Sequence, residues 1–402
     1  MDTARSRSRG FWIITATLTL FLFGASAPSP LYVVYQERFS FSATTLTAIF
    51  AVYALALLIT LIPAGALSDQ FGRRPVILAA IALQAVSMML FLLANDTTTL
   101  FAARIVQGIA TGAATGALSA ALIDLQPTGS MIGPLTASIA PPVGLALGAV
   151  GSGLLVQLAS SPMRLVHWAL LAALTIAGLL IVAAVPETIA RAAGPRPRLR
   201  LRVHIPTTAR SIFAALTPGL IATWGLAGLY LSLGPSLAIV ILHSHSHIVG
   251  GLVPAALCFT TAVASLLTRT WSGRRAVLSG STLLAAGVLI TLVGIRTDSG
   301  LLLFTGSAIA GLGFGPAFAG TFHTLAPLAD PDARAGLLAA VYAVSYLAFS
   351  VPAVLAGLAA THWGLRDSAS GYAVAVVLLA AVAAALTARQ QTTARIHRTA
   401  QP

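Results

Sequence analysis

Lysine is missing from this chain: all 23 of its basic residues are arginine. That is read as codon usage and carries no functional meaning. Cysteine is almost missing as well. Cys258 stands alone, which excludes an intramolecular disulfide or a cysteine metal cluster, and within its apolar run it reads as a small packing residue. Charge is scarce: 8% of residues are charged against 57% hydrophobic, with a mean hydropathy of +0.91. A soluble chain of 402 residues needs far more surface charge to stay dispersed. No G-x-x-x-x-G-K-[ST] loop occurs, which argues against ATP hydrolysis within the chain. Neither an H-E-x-x-H motif nor a nucleophile with its base occurs within the apolar runs, which argues against a membrane-embedded enzyme. No segment is long enough for a soluble signalling domain, so a sensor is disfavoured too. No cofactor is called for.

What is present is a succession of long apolar runs. A helix needs roughly twenty apolar residues to cross a bilayer, and the runs fall at about 11–33, 43–65, 75–94, 99–122, 133–156, 165–185, 211–241, 248–268, 276–295, 301–326, 336–359 and 370–388. These predict an all-α membrane protein of twelve spans. Barrel strands would be shorter and alternating. The first run is too long for the core of a signal peptide, although Ala25-Ser26-Ala27 weakly resembles a cleavage site. The seventh is overlong, and Gly234-Pro235 is expected to break it. Pro28, Pro30, Pro141, Pro142, Pro316 and Pro352 are further expected breaks.

Arginine placement gives an orientation. With the N-terminus inside, the inner segments hold Arg5, Arg7, Arg9, Arg73, Arg74, Arg269, Arg274, Arg275, Arg334, the arginines of the 187–210 stretch and those of the C-terminal tail. The outer loops hold only Arg38, Arg164, Arg296 and Arg366. Both termini are therefore expected in the cytoplasm, with the chain in the cell (inner) membrane. The net charge of +13 then faces anionic lipid headgroups rather than nucleic acid, for which no motif is present. The longest polar stretch divides the chain into residues 1–186, a basic linker at 187–210, residues 211–390 and a tail at 391–402.

The two halves echo one another. Gly72-Arg73-Arg74-Pro75-Val76 matches Gly273-Arg274-Arg275-Ala276-Val277, while Gly108 and Gly112 match Gly311 and Gly315. Both matches fall at the same place in their half. Many secondary transporters are repeated halves with a site between two bundles at the membrane midplane.

The segment Gly65-Ala66-Leu67-Ser68-Asp69-Gln70-Phe71-Gly72-Arg73-Arg74 resembles the loop signature G-x-x-x-D-x-x-G-R-R/K of the major facilitator superfamily. Arg104-Ile105-Val106-Gln107-Gly108, with Gly112, resembles that family's fourth-helix motif, and Pro186-Glu187-Thr188 resembles its end-of-half signature. The fifth run, with Gly144, Gly148, Gly151 and Gly153, resembles the glycine motif of the family's antiporters, except that Ala149 stands where proline follows glycine. The first span lacks the embedded acid of many drug–proton antiporters, and Thr270 and Ser307 replace the counterparts of Asp69 and Arg104. The resemblance implies two pseudo-symmetric six-helix bundles that work by alternating access. It also implies a monomer, a small-molecule solute as cargo and H+ as coupling ion. Export of a drug-like or metabolite molecule is the first expectation and uptake of a small metabolite the alternative.

Individual residues carry more pointed expectations. Asp69 and Arg73 are one helical turn apart and can pair. The resemblance implies that this loop, formed by Gly65, Asp69, Gly72, Arg73 and Arg74, latches the bundles, and Asp124 is a further partner for Arg73. The alternative is a solvated loop that only fixes topology. Arg104 is the one charge inside a span and needs a polar cavity or a partner. Asp124 lies about 30 Å along the same helix and is out of its reach. Proton coupling or substrate contact is one reading of Arg104, and a structural arginine bonded to carbonyls is the other. No acidic residue falls in mid-span, which favours neutral, amphiphilic or anionic cargo. A proton carrier would then be Glu37, Asp124 or a histidine such as His323 or His167. Gln107, Tyr32 and Tyr35 are candidates to line a vestibule, though interfacial anchoring explains the tyrosines equally well. Gly108, Gly112, Gly144, Gly148 and Gly151 are candidates for close helix packing. His243, His245 and His247 alternate, but with neither cysteine nor acid nearby they read as a solvated loop, not a metal site.

Overall fold

The structure, a computed structural model, describes residues 2–159, 161–188, 203–243 and 246–399, without the side chains of 2–5, 331–333 and 390–399. Most of the expected linker, including Arg191 to Arg202, and His245 lie outside the described residues.

Among the described residues, twelve helices are long and apolar enough to cross a membrane. In chain order they are Ser6–Phe39, Ala43–Phe71, Arg73–Leu92, Thr97–Leu125, Ile132–Leu158, Pro162–Ala184, Thr207–Ser232, His247–Leu267, Gly273–Thr297, Gly300–Leu328, Arg334–Trp363 and Leu365–Arg389. They are called spans one to twelve below. Successive spans run in opposite directions, so the molecule has an arginine-rich end, with Arg7, Arg73 and Arg274, and an opposite end. No strand occurs among the described residues.

Where the structure departs from the apolar pattern, proline is the usual reason. The first span does not stop near residue 33. It breaks at Ala27 and restarts as Pro28–Phe39, because prolines in a first helical turn lack only N–H groups that would have had no partner there. The seventh run breaks as expected: Arg210–Ser232 is followed by Gly234–Leu242, with Pro235 in the new first turn. Pro141, Pro142, Pro316 and Pro352, expected as breaks, lie inside unbroken helices. Each removes a single backbone hydrogen bond, and packing against neighbouring spans holds the helix through it. The last helix continues beyond the apolar run, through the expected tail, to Thr399.

The packing repeats. In the first half, span one pairs with five, two with four, and three with both four and six; in the second half, seven pairs with eleven, eight with ten, and nine with both ten and twelve. Glycines set the tightest crossings in each half. A Cβ at Gly112 would stand 3.1 Å from Leu61 N, and one at Gly315 would stand 3.1 Å from Ser265 N. Gly108 and Gly311 likewise press on the carbonyls of Tyr53 and Leu257. The glycine matches between the halves therefore mark the same helix crossing made twice. The two halves meet where span two packs on eleven and span five on eight.

Candidate functional site

At the arginine-rich end, the loop after span two is the centre of a charge cluster. Span two ends at Phe71 and span three starts at Arg73, so Gly72 must turn the chain within one residue. It does so at φ +98°, in the region open to glycine. A Cβ there would also stand 2.6 Å from a carboxylate oxygen of Glu187. That carboxylate accepts hydrogen bonds from the backbone N–H groups of Arg73 (2.9 Å) and Arg74 (3.1 Å), capping span three. The Arg73 guanidinium meets Asp69 at 2.5 Å, Asp124 at 3.2 Å and Ser68 Oγ at 2.5 Å. Thr188 donates to Asp124 (2.9 Å), Arg7 donates to the Asp124 carbonyl (2.7 Å), and Arg74 donates to the Val182 carbonyl. The cluster thus brings together Asp69, Arg73, Arg74 and Asp124 as the spacing suggested, and adds Glu187, which was read only as an end-of-half signature. All these partners belong to the first half. Asp69 has 62% of its side-chain surface exposed, and nothing lies within 4 Å of where a Cβ on Gly65 would be. In the second half Arg274 donates to the carbonyls of Thr387 and Ala388, ending span twelve as Arg74 ends span six. By function the two loops therefore align one residue differently from their sequence match.

Deeper in the first half, Arg104 is 1% exposed. Its guanidinium donates to Gln107 Oε1 (2.5 Å) and to the Ala25 carbonyl (3.2 Å), and Gln107 in turn donates to the Gly24 carbonyl (2.9 Å). Those carbonyls sit just before the break in span one. The guanidinium lies over the ring of Tyr53 at 4.3 Å, with Tyr32 at 5.8 Å and Phe50 at 5.9 Å. Its Nε and the Tyr32 and Tyr35 hydroxyls are buried without hydrogen-bond partners. Arg104, Gln107 and Tyr32 thus come together. Tyr35 is buried and stacks on Phe39. Glu37 and His323 are exposed and take no place beside Arg104. His167 is buried, with Nδ1 2.7 Å from the Met163 carbonyl and its ring stacked on Phe91, a packing role. Gly144, Gly148 and Gly151 bring span five against span one at Thr19, Leu22 and Phe23. Among the described residues no group of three or more His, Cys, Asp or Glu is placed to hold a metal.

Sequence reading missed an aromatic wall in the second half. Trp224 of span seven lies 5.2 Å from Phe318, 5.0 Å from Tyr346, 5.8 Å from Phe349 and 6.2 Å from Phe314, ring centre to ring centre. Phe322 and Tyr342 extend the wall toward the arginine-rich end. Phe50 of span two reaches across to Phe349 at 4.8 Å, which places the wall where the halves meet. The rings come from spans seven, ten and eleven; Phe314, Phe318 and Phe322 stand four apart, and Tyr342, Tyr346 and Phe349 four and three apart, so each set lies on one helix face, but their convergence on Trp224 is a tertiary fact.

The halves are sealed at the opposite end. There Ser29 donates to the Leu231 carbonyl (2.6 Å), Thr44 and Thr361 hydroxyls meet at 3.0 Å, and the His247 N–H donates to Gln157 Oε1 (3.0 Å). A Cβ on Gly357 would stand 2.7 Å from the Ala43 carbonyl, and one on Gly153 would stand 2.8 Å from that of His247. The space left beside Gly65 and the exposure of Asp69 belong to the arginine-rich end, so this conformer is closed at one end and open at the other.

Residues 14–272 match the profile of the family described as Major Facilitator Superfamily. Over 109 residues, 27% of this chain and 27% of that protein, the sequence is 38% identical to the class C tetracycline resistance protein of Escherichia coli. That match therefore spans about a quarter of either protein. Among solved structures, a bacterial homologue of the human lysosomal transporter Spinster, inward-facing and occupied, superposes with a TM-score of 0.76 at 15% identity, covering 95% of this chain and 97% of that one. The nucleoside transporter NupG gives 0.74 at 11% identity, covering 95% and 99%. A human organic anion transporter gives 0.68 at 17% identity, covering 94% and 99%.

Proposed function

The chain belongs to the major facilitator superfamily, a multi-pass membrane transporter and not an enzyme, and on that premise we propose that it is a secondary active transporter exporting a small drug-like or metabolite molecule in exchange for protons that enter down their gradient. The observation that carries this reading is the pairing of a one-ended seal with a buried, polar Arg104 site beside the seam between the halves. A path closed at one end with its site at the junction is the geometry alternating access needs. By the arginine distribution the open end faces the cytoplasm; the family gives the further expectation that the chain acts as a monomer, and the membrane is taken as the cell membrane. Export is supported by the likeness of one segment to a drug resistance protein. The partners of Arg104 are neutral groups, so the site favours neutral, amphiphilic or anionic cargo over cations.

Proton linkage is read from the cluster around Asp124. Its carboxylate serves Arg73 and Thr188 at once, so neutralising it would weaken the tie of span four to the start of span three and to the segment after span six. The test is a solute screen in proteoliposomes with an imposed pH gradient, recording the direction of flux. Export driven by the gradient supports the reading. Uptake coupled to the proton would replace its direction, and gradient-independent flux would remove its coupling.

A further inference from the structure

The aromatic wall has features that packing alone does not account for. Phe349 is buried, but Trp224, Phe314, Phe318, Phe322, Tyr342 and Tyr346 are only half-buried. The large apolar side chains that face lipid are far more exposed, such as Ile59 or Leu355, and these rings are not among them. They line the seam from mid-depth toward the end that this conformer leaves open. At the hub, the Trp224 indole Nε1 is shielded from water and has no hydrogen-bond partner. An orphaned donor of this kind is unfavourable, and a ligand that supplies an acceptor removes the penalty. On the facing half, the Arg104 Nε is orphaned in the same way. Arg104 lies 5.9 Å from the Phe50 ring, Phe50 lies 4.8 Å from Phe349, and Phe349 lies 5.8 Å from Trp224. The two orphaned donors therefore face each other across the seam with the Phe50 and Phe349 rings between them, so a solute that meets both must be extended, as a single small ion is not.

We propose that this wall is the ring-binding surface of the cargo site and that it selects planar, multi-ring solutes. One oxygen acceptor on the solute meets the Trp224 N–H, and an anionic or strongly polar oxygen group turns toward Arg104. The inference rests on the reading of the chain as a solute transporter and narrows its cargo class. An aliphatic solute would gain only area burial here, whereas a planar ring adds stacked or edge-on contacts beyond it.

The test uses the full chain in detergent, with acridone-3-carboxylate as probe, a planar tricycle whose ring ketone is the acceptor for Trp224 and whose carboxylate is the anion for Arg104, and the anisotropy of its own emission as readout. The neutral 3-(hydroxymethyl)acridone and the non-planar cyclohexanecarboxylate serve as comparisons. Trp224→Phe keeps the ring and removes the donor, and should weaken the probe by about five- to tenfold. Tyr346→Leu keeps apolar volume and removes a ring, and should weaken it by about two- to tenfold. Arg104→Gln should erase the preference for the carboxylate over the alcohol. Equal affinity in both Trp224→Phe and Tyr346→Leu, with unchanged thermal unfolding, would overturn the proposal, and so would cyclohexanecarboxylate competing as well as the planar acid. Flux in proteoliposomes separates the two readings. Binding with the expected losses but without flux supports the wall and counts against transport. Gradient-driven flux of the planar acid that ignores both substitutions overturns the wall and leaves transport standing.

Discussion

Replacing Gly357 with alanine should pry open the sealed end. The new Cβ would lie 2.7 Å from the Ala43 carbonyl oxygen and 2.8 Å from Thr47 Cγ2, with the Thr47 hydroxyl closer still. Backbone on span two cannot yield without moving the helix, so spans two and eleven must separate. Overpacking of this kind costs about 1–3 kcal/mol. The cost falls only on the state in which these helices touch, so the whole of it biases the equilibrium toward the state open at this end. At a factor of ten for every ~1.4 kcal/mol, the ratio of open to sealed molecules should rise by about 5- to 150-fold. The sole cysteine simplifies the assay. In a Cys258→Ala background, Ser29→Cys puts a thiol at a position that is 2% exposed and lies between the halves. While the open state is rare, its labelling by a membrane-impermeant maleimide, added at the opposite end, is proportional to the open fraction. The labelling rate should climb by the same factor when Gly357→Ala is added. A rate unchanged within about twofold, in protein that unfolds at the usual temperature, would refute the reasoning.

Three further outcomes are expected. Asp69→Asn removes the exposed carboxylate from a pair whose arginine is largely shielded and still held by Asp124; a pair with a solvated partner is worth only ~0–1 kcal/mol to stability, so membrane abundance should hold while transport falls; full transport rates in the variant would show the charge to be idle. Glu187→Ala uncaps span three and should cost about 0.5–2 kcal/mol, read as a lower midpoint of thermal unfolding in detergent; an unchanged midpoint would mean that water replaces the cap without loss. Asp96, at the start of span four, is held below the usual aspartate range by hydrogen bonds from the Thr99 N–H and hydroxyl. A lowered folded-state value means its cap is at full strength at neutral pH and fades as pH falls through that lowered value. Asp96→Asn should therefore flatten the acid limb of the stability curve, and an identical limb would remove Asp96 from the account.

The number of spans, the break at Gly234-Pro235 and the approach of Arg73 to Asp124 were all legible in the chain, because each follows from local chemistry. Run length fixes a crossing, Gly-Pro interrupts a helix, and two charges at neighbouring helix ends find one another. Arg104 was legible as a buried charge, but its neutral partners were not, since the Gly24 and Ala25 carbonyls become available only where Pro28 breaks span one. Pro141, Pro142, Pro316 and Pro352 misled because the strength of a proline break depends on neighbouring helices that sequence does not reveal. Glu187 was visible only as part of a signature, for its capping role needs span three to begin beside the end of span six. The wall around Trp224 was half visible: Phe314, Phe318 and Phe322, and Tyr342, Tyr346 and Phe349, are stripes at helical spacing, but that both stripes face Trp224 of span seven depends on how the helices pack. Which end is sealed was also out of reach, because that belongs to contacts between halves and not to a pattern along one of them.

The matched glycine crossings carry a consequence for how such a molecule can change over time. At Gly108, Gly112, Gly311 and Gly315 the neighbour is mostly main chain, and main-chain atoms are the same whatever residues replace their owners. A lineage can exchange nearly every side chain along spans two and eight and still bring the helices together at one distance, provided the four glycines survive. Architecture of this sort is inherited through what is absent from the side-chain record, leaving the rest of the sequence free to wander toward new cargo.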